Sequence, residues 1–233
     1  MARSASEKPA QNAPVLAFGS EIDRNRPVGG QIYEIVRLNI ILENLKPLDA
    51  INEADLSRWF GVSRTPVREA YLRLIDDGLI EARYKVGTII AQTDEARVKE
   101  GIIIRRALER EVVKLICDAG ADLKSLDSII ALQSVAVSHN DHIEFFRRDE
   151  DFHAALATLA GIPSAWRLAH SVKSHTDRAR IMLTANLPNR IHMAFEQHLE
   201  IIKALKARNA ELSQALVSKH INSVFEALDN DVE

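Results

Sequence analysis

Along the chain, the alternation of apolar and polar positions changes character twice. Met1 to Ser20 is rich in Ala, Ser and Pro and has no period, so residues 1–28 read as a disordered segment. From Gly29 the pattern becomes helical. Gln31–Leu45 places Ile32, Ile35, Val36, Asn39 and Ile40 on one face. Asn52 can cap a short helix over Glu53–Phe60 with Leu56, Trp59 and Phe60 inward. After the turn Gly61-Val62-Ser63, a third helix is expected to start near Thr65-Pro66. Its stripe is Val67, Ala70, Tyr71, Leu74 and Ile75, and Gly78 closes it. Two short apolar runs, Leu79–Arg83 and Thr88–Ala91, flank Tyr84-Lys85-Val86-Gly87 and predict a hairpin. Three helices and a hairpin make a winged helix-turn-helix over residues 29–93.

Beyond Thr93 every segment has helical period. Six are expected: Asp94–Cys117, Leu123–Ser138, His142–Leu159, Pro163–Ala185, Pro188–Ala207 and Asn209–Asp229. Short connections make neighbours antiparallel. The predicted fold class is therefore mainly α: an N-terminal winged helix-turn-helix, then an all-α six-helix bundle over residues 94–233.

Composition adds limits. The 233 residues are 46% hydrophobic and 27% charged, which suits a globular protein, and aromatics at 5% argue against an all-β fold. No apolar run is long enough to span a membrane, and the N-terminus has no secretory h-region. The single cysteine, Cys117, fits a reducing cytoplasm. A net charge of −3 gives little long-range attraction to DNA, although Arg58–Thr88 carries six basic and four acidic residues.

The stretch Gly61–Glu81, GVSRTPVREAYLRLIDDGLIE, carries the clearest chemistry. If Val67, Ala70, Tyr71 and Leu74 face inward, Arg64 and Arg68 share the opposite face near the helix N-terminus. In a helix-turn-helix that end points into the major groove. Arginine's fork matches the O6 and N7 acceptors of guanine. Ser63, Thr65 and the open backbone N–H groups suit phosphates, and Lys85 at the wing tip can reach a neighbouring phosphate or the minor groove. A solvated helix face, or a winged helix used for protein contact, is the alternative. VSRTPVREA, with Asn52–Leu56, Leu74, Asp77-Gly78-Leu79-Ile80 and Gly87, resembles the DNA-binding domain of the GntR family of bacterial transcriptional regulators, over about Gln31–Ala91. The resemblance implies that Arg64 and Arg68 read the major groove while Ser63 and Thr65 contact backbone. The chain departs from it at Glu43–Asp49, where that family usually has a glycine-containing turn.

In the second domain, polar residues fall on stripes that should be apolar. Asp149 and His153 lie among Phe145, Phe146, Phe152 and Leu156, His198 among Ile191, Phe195, Ile202 and Leu205, and His220 among Leu216, Val217, Ile221 and Val224. Burying them costs free energy unless each finds a partner, and one divalent metal would serve all four. One Asp and three His suit Zn, Ni, Mn or Fe. Arg105, also inward, needs an anion; a carboxylate ligand held between metal and guanidinium would supply it, and Glu109 lies beside it. Each residue also has a plainer reading: a satisfied core histidine, Asp149 paired with Arg147 or Arg148, Arg105 paired with Glu109. His175 and Arg178, with Ser171, line the same cavity or form a surface pair; Trp166 and Met182 are most simply core.

Arg105–Glu109, Asp149–His153 and His198–Ile201 resemble motifs of the FCD (FadR C-terminal) effector domain, over about Asp94–Leu228, with Gln197 where that family often has Glu. Six helices resemble its VanR-type branch. The resemblance implies metal ligands Asp149, His153, His198 and His220, an effector-carboxylate role for Arg105, and a homodimer on a double-stranded operator. The expectation is a cytoplasmic regulator, mostly a repressor, and not an enzyme. A metal-dependent helical-bundle enzyme and a regulator that senses metal itself are the competing classes.

Overall fold

The computed structural model describes residues 21–186 and 189–230. The chain forms two compact units that divide between Gln92 and Thr93. Of the segment expected to be disordered, 1–20 lies outside the described residues. Residues 21–27 are folded onto the first helix, α1 (Val28–Ile41): Gln31 exchanges side-chain hydrogen bonds with both backbone groups of Asp23, at 2.9 and 2.8 Å.

In the first unit, α2 (Glu53–Phe60) is capped by Asn52, whose side chain accepts from Asp55 N, and closes on Gly61 in the left-handed region. The third helix, α3 (Arg64–Asp76), starts slightly earlier than expected, with Ser63 as N-cap. Pro66 still fits, because the first four N–H groups of a helix have no internal partner. Val67, Ala70 and Leu74 are fully buried against Ile32, Val36 and Ile40 of α1, whereas Ile75 is exposed. β1 (Ile80–Arg83) pairs antiparallel with β2 (Gly87–Ile90), and Ala50 bridges to Ile89 on the other side. The turn that lacks the family's glycine is closed by Glu43 and Leu48 at positive φ, 57° and 73°. The buried backbone carbonyl of Asn39 receives the N–H groups of Asn44 and Leu45.

The second unit holds α4 (Glu95–Ala119), a 3-10 turn at Lys124–Leu126, α5 (Asp127–Ser138), α6 (His142–Leu159), α7 (Pro163–Val172), α8 (Ser174–Asn186), α9 (Arg190–Lys206) and α10 (Ala210–Asn230). Asp94 caps α4 by accepting from Ala96 N and Arg97 N. The expected single helix Pro163–Ala185 is two, so the unit has seven α-helices among its described residues. The break at Lys173 has a local cause. Gly101 brings the α4 backbone against this corner: a Cβ there would sit 2.8 Å from the Val172 carbonyl oxygen and from Thr176 Oγ1. Lys173 itself is fully buried and holds Glu150 and Asp177, each at 2.6 Å. Apolar residues of α4, α6, α9 and α10 form one core, including Ile102, Val113, Phe152, Ile201 and Val217.

Gly101→Ala is expected to lower stability by about 1–3 kcal/mol, because the carbonyl it meets is backbone and cannot swing away. Gly30→Ala, whose nearest such atom is 4.0 Å away, should be neutral or stabilising. Thermal melts of both variants check this; equal melting temperatures would remove the close approach as a constraint.

Candidate metal centre and DNA-reading helix

Helix α3 presents Ser63, Arg64, Thr65 and Arg68 to solvent, opposite its buried stripe. Ser63 makes no side-chain cap bond, so its hydroxyl is not tied to the helix. Lys85 lies exposed at the wing tip beside Tyr84, which is 88% exposed. One exposed face therefore carries two guanidiniums and two hydroxyls at a helix start, an arrangement suited to base edges and phosphates.

In the second unit, α6 supplies Asp149 and His153, α9 supplies His198 and α10 supplies His220, all buried. One ligand atom from each lies within 4.8 Å of the others. Asp149 Oδ1 is 3.4 Å from His198 Nε2 and 3.9 Å from Nε2 of both His153 and His220. Nε2 of His198 and of His220 are 3.3 Å apart.

The far side of each ring fixes its tautomer. His153 Nδ1 is 2.5 Å from Glu109 Oε2, His198 Nδ1 is 2.9 Å from Gln133 Oε1, and His220 Nδ1 is 2.9 Å from Gln197 Oε1. Gln133 is oriented in turn, because its Nε2 donates to the Arg148 carbonyl. A neutral imidazole has one N–H, and here an oxygen acceptor takes it at Nδ1. Three Nε2 lone pairs then face one carboxylate oxygen. His153 Nε2 and Asp149 Oδ1 have no hydrogen-bond partner. Four acceptors turned on one another repel, and a cation between them removes the repulsion. Ligands about 2.1 Å from one ion lie about 3–3.5 Å apart, close to the spacing found. The donor set therefore fits a divalent metal.

The electrostatics agree. Burial, then the neighbouring histidines, pushes His220 well below the usual histidine pKa, and burial also lowers His153 despite Glu109. Burial opposes ionisation of Asp149, but Arg180 and the histidines outweigh it and hold the carboxyl well below its usual range. Burial likewise opposes Glu109, where Arg105 and His153 win and hold it at about 2. Phe152 stacks on His198 with centroids 4.2 Å apart, and Trp166 on His153 at 5.8 Å, so rings fix the imidazole planes.

Arg105 pairs with Glu109 through Nε at 2.5 Å, but its buried Nη2 has no partner. Asp149 pairs with neither Arg147 nor Arg148, which serve Glu144; Arg148 also binds Asp151. Its partner is Arg180, whose Nη2 lies 2.6 Å from Oδ2. A cavity of about 30 Å³ is lined by Arg105, His142, Phe146, Arg180, Arg190 and His220, among others. His175 and Arg178 are buried but are not among its lining residues: His175 Nδ1 accepts from Asp94 N. Met182 is 42% exposed rather than core. The sequence reading missed Arg180, Arg190, Lys173, Gln133 and the ring-stacking role of Trp166.

An exposed arginine-bearing recognition helix in a winged unit, followed by a helical unit with a buried polar centre, defines a ligand-responsive DNA-binding regulator architecture. Residues 29–90 match the family described as bacterial regulatory proteins, gntR family, and residues 102–223 match the FCD domain. The chain belongs to the GntR family of bacterial transcriptional regulators, with an FCD domain, and is a DNA-binding transcriptional regulator. It is similar to the HTH-type transcriptional repressor RspR of Escherichia coli K12, at 29% identity over 91% of this chain and 94% of that protein. It is 31% identical to an HTH-type transcriptional regulator in an unstable DNA locus of Streptomyces ambofaciens, over 85% of this chain and 84% of that one. In fold it resembles the crystal structure of a putative GntR regulator from Rhodococcus sp. RHA1, with TM-score 0.73, 24% identity, and coverage of 86% of this chain and 97% of that one. These families and relatives are transcriptional regulators, not enzymes. No helix among the described residues is long and apolar enough to cross a membrane.

Glu109→Ala would leave Arg105 charged and buried and His153 without its acceptor. The expected loss of stability is about 3–5 kcal/mol in denaturant titration. A loss under about 1 kcal/mol would mean that water reaches the pair.

Proposed function

We propose that the protein is a cytoplasmic repressor that binds its operator as a homodimer and is controlled by a small organic acid at a divalent metal in the second unit. The observation that carries this reading is the meeting of Asp149, His153, His198 and His220 at one point, with each imidazole held from behind, beside a cavity where Arg105 keeps an unpartnered Nη2. These four residues would hold the metal, which supplies a Lewis-acid anchor for an anion. The donor set of three nitrogens and one oxygen suits Zn, Ni, Mn or Fe. Arg105 would take the acid's carboxylate. Relatives named as repressors, RspR and the probable D-xylose utilization operon transcriptional repressor of Paenarthrobacter nicotinovorans, support repression.

On DNA, Arg64 and Arg68 would read base edges, while Ser63, Thr65 and Lys85 hold phosphates. Two copies would place their recognition helices in successive major grooves of a two-fold site. A cavity of about 30 Å³ has room for little more than a water. Acid binding therefore requires its lining to part, and the acid favours whichever state has the cavity open. The unpartnered Arg105 Nη2 favours an acid effector over the metal as sole signal. The VanR-type branch gains no support from helix number, since the six segments expected are seven helices.

Two measurements test the reading. Sequencing host DNA fragments retained by the protein should return a short two-fold-symmetric site, and Arg68→Ala should weaken binding to it by about 1–3 kcal/mol with the fold intact. Unchanged affinity would remove α3 from base reading. His198→Ala should reduce metal, counted by mass spectrometry on purified protein, from about one ion per chain to near none. Full retention would dismiss the ligand set.

A further inference from the structure

The two carboxylates that touch the histidines are each held by an arginine that also lines the cavity. Glu109 is held by Arg105, and Asp149 by Arg180. Neither guanidinium is used up by its partner. Arg105 Nη2 and Arg180 Nη1 are both buried without a hydrogen bond. Arg180 Nη1 has Asp177 Oδ1 at 3.7 Å and Glu150 Oε1 at 3.8 Å, too far for a bond to either. Unmade bonds from buried charged donors are costly, and two of them open onto one cavity.

The lining also carries Arg190, which donates to Ser223 Oγ at 2.8 Å, and His142. No carboxylate is among the described residues that line it. A single carboxylate can satisfy one guanidinium bidentately. It would leave the other as it stands.

We infer that the cavity takes a small dianion, a short-chain dicarboxylic acid, with one carboxylate at Arg105 and the second at Arg180 beside Arg190. This rests on the reading of the cavity as an acid-effector site and narrows its ligand class. A monocarboxylate or a sugar acid matches only one anchor. The apolar span between the anchors, Phe145, Phe146 and Ile221, suits a short hydrocarbon chain rather than a polyol. The cavity's small size favours three or four carbons over longer chains.

The test is calorimetric titration of the metal-loaded full chain, at constant ionic strength, with malonate, succinate and malate against propionate, butyrate, lactate and gluconate. The inference expects at least one diacid to bind about tenfold or more tighter than its matched monoacid. Arg180→Gln should erase that preference, with metal content measured in the same sample, while Arg105→Gln weakens mono- and diacids alike. Monoacids that bind as tightly as diacids would overturn the inference and leave the acid-effector reading standing. Failure of every acid to bind the loaded protein would overturn the acid-effector reading and the inference with it. If Arg180→Gln loses metal or does not fold, the wild-type comparison of matched acids still decides.

Discussion

Three imidazole lone pairs and one carboxylate oxygen meet at a buried point, and the helical unit is arranged around that meeting. Lone pairs at 3.3 Å repel unless something positive lies between them. What makes them face inward is the opposite edge of each ring. There an acceptor on α4, α5 or α9 takes the Nδ1 proton and fixes the tautomer. The charges are balanced locally as well. Each carboxylate in contact with a histidine has its own guanidinium, so burial does not force either to protonate. The apolar core then serves as the frame that keeps water from these bonds, with Phe152 and Trp166 setting the ring planes.

The two units solve opposite problems. In the first, the working side chains must stay in water and the stripe behind them must be buried. Val67, Ala70 and Leu74 anchor α3 so that Arg64 and Arg68 face outward. Nothing is strained at those positions; positive φ falls instead on the turn at Glu43 and Leu48 and at the wing tip, Lys85. In the second, the working side chains are buried, and each needs a partner of defined geometry. With a chain charge of −3, DNA affinity must come from short-range contacts more than from a general field.

This difference decides what the sequence made legible. The recognition helix was readable because an amphipathic period divides inward from outward residues without further information. The ligand residues were readable for a related reason: Asp149, His153, His198 and His220 interrupt stripes that are otherwise apolar, and an interruption on several helices asks for a common partner. Arg180 was not readable. Residues 173–179 are buried throughout, so α8 has no polar face against which to set a phase. Counting continuously from Pro163 pointed to His175 and Arg178. The break at Lys173 resets the rotation and brings Arg180 to the cavity instead. That break depends on Gly101, more than seventy positions earlier in the chain, and no local pattern encodes such a contact. Gln133 was hidden similarly, as a polar residue on a helix whose partner lies on another.

Gln197 links the two levels. It stands where the family often has glutamate, and its Oε1 accepts from Nδ1 of His220, the histidine that lines the cavity. A carboxylate at that atom would bring a third anion to the imidazoles, alongside Asp149 and Glu109. The amide fixes the same tautomer with no charge, as Gln133 does for His198. With a divalent ion held, Asp149 alone supplies negative charge to the inner set, and the excess positive charge is felt in the cavity beside Arg105, Arg180 and Arg190. Orientation and charge are thus set by different atoms. The glutamines aim the rings, the arginine-bound carboxylates limit the neutralisation, and the remaining field is left for an anion to balance.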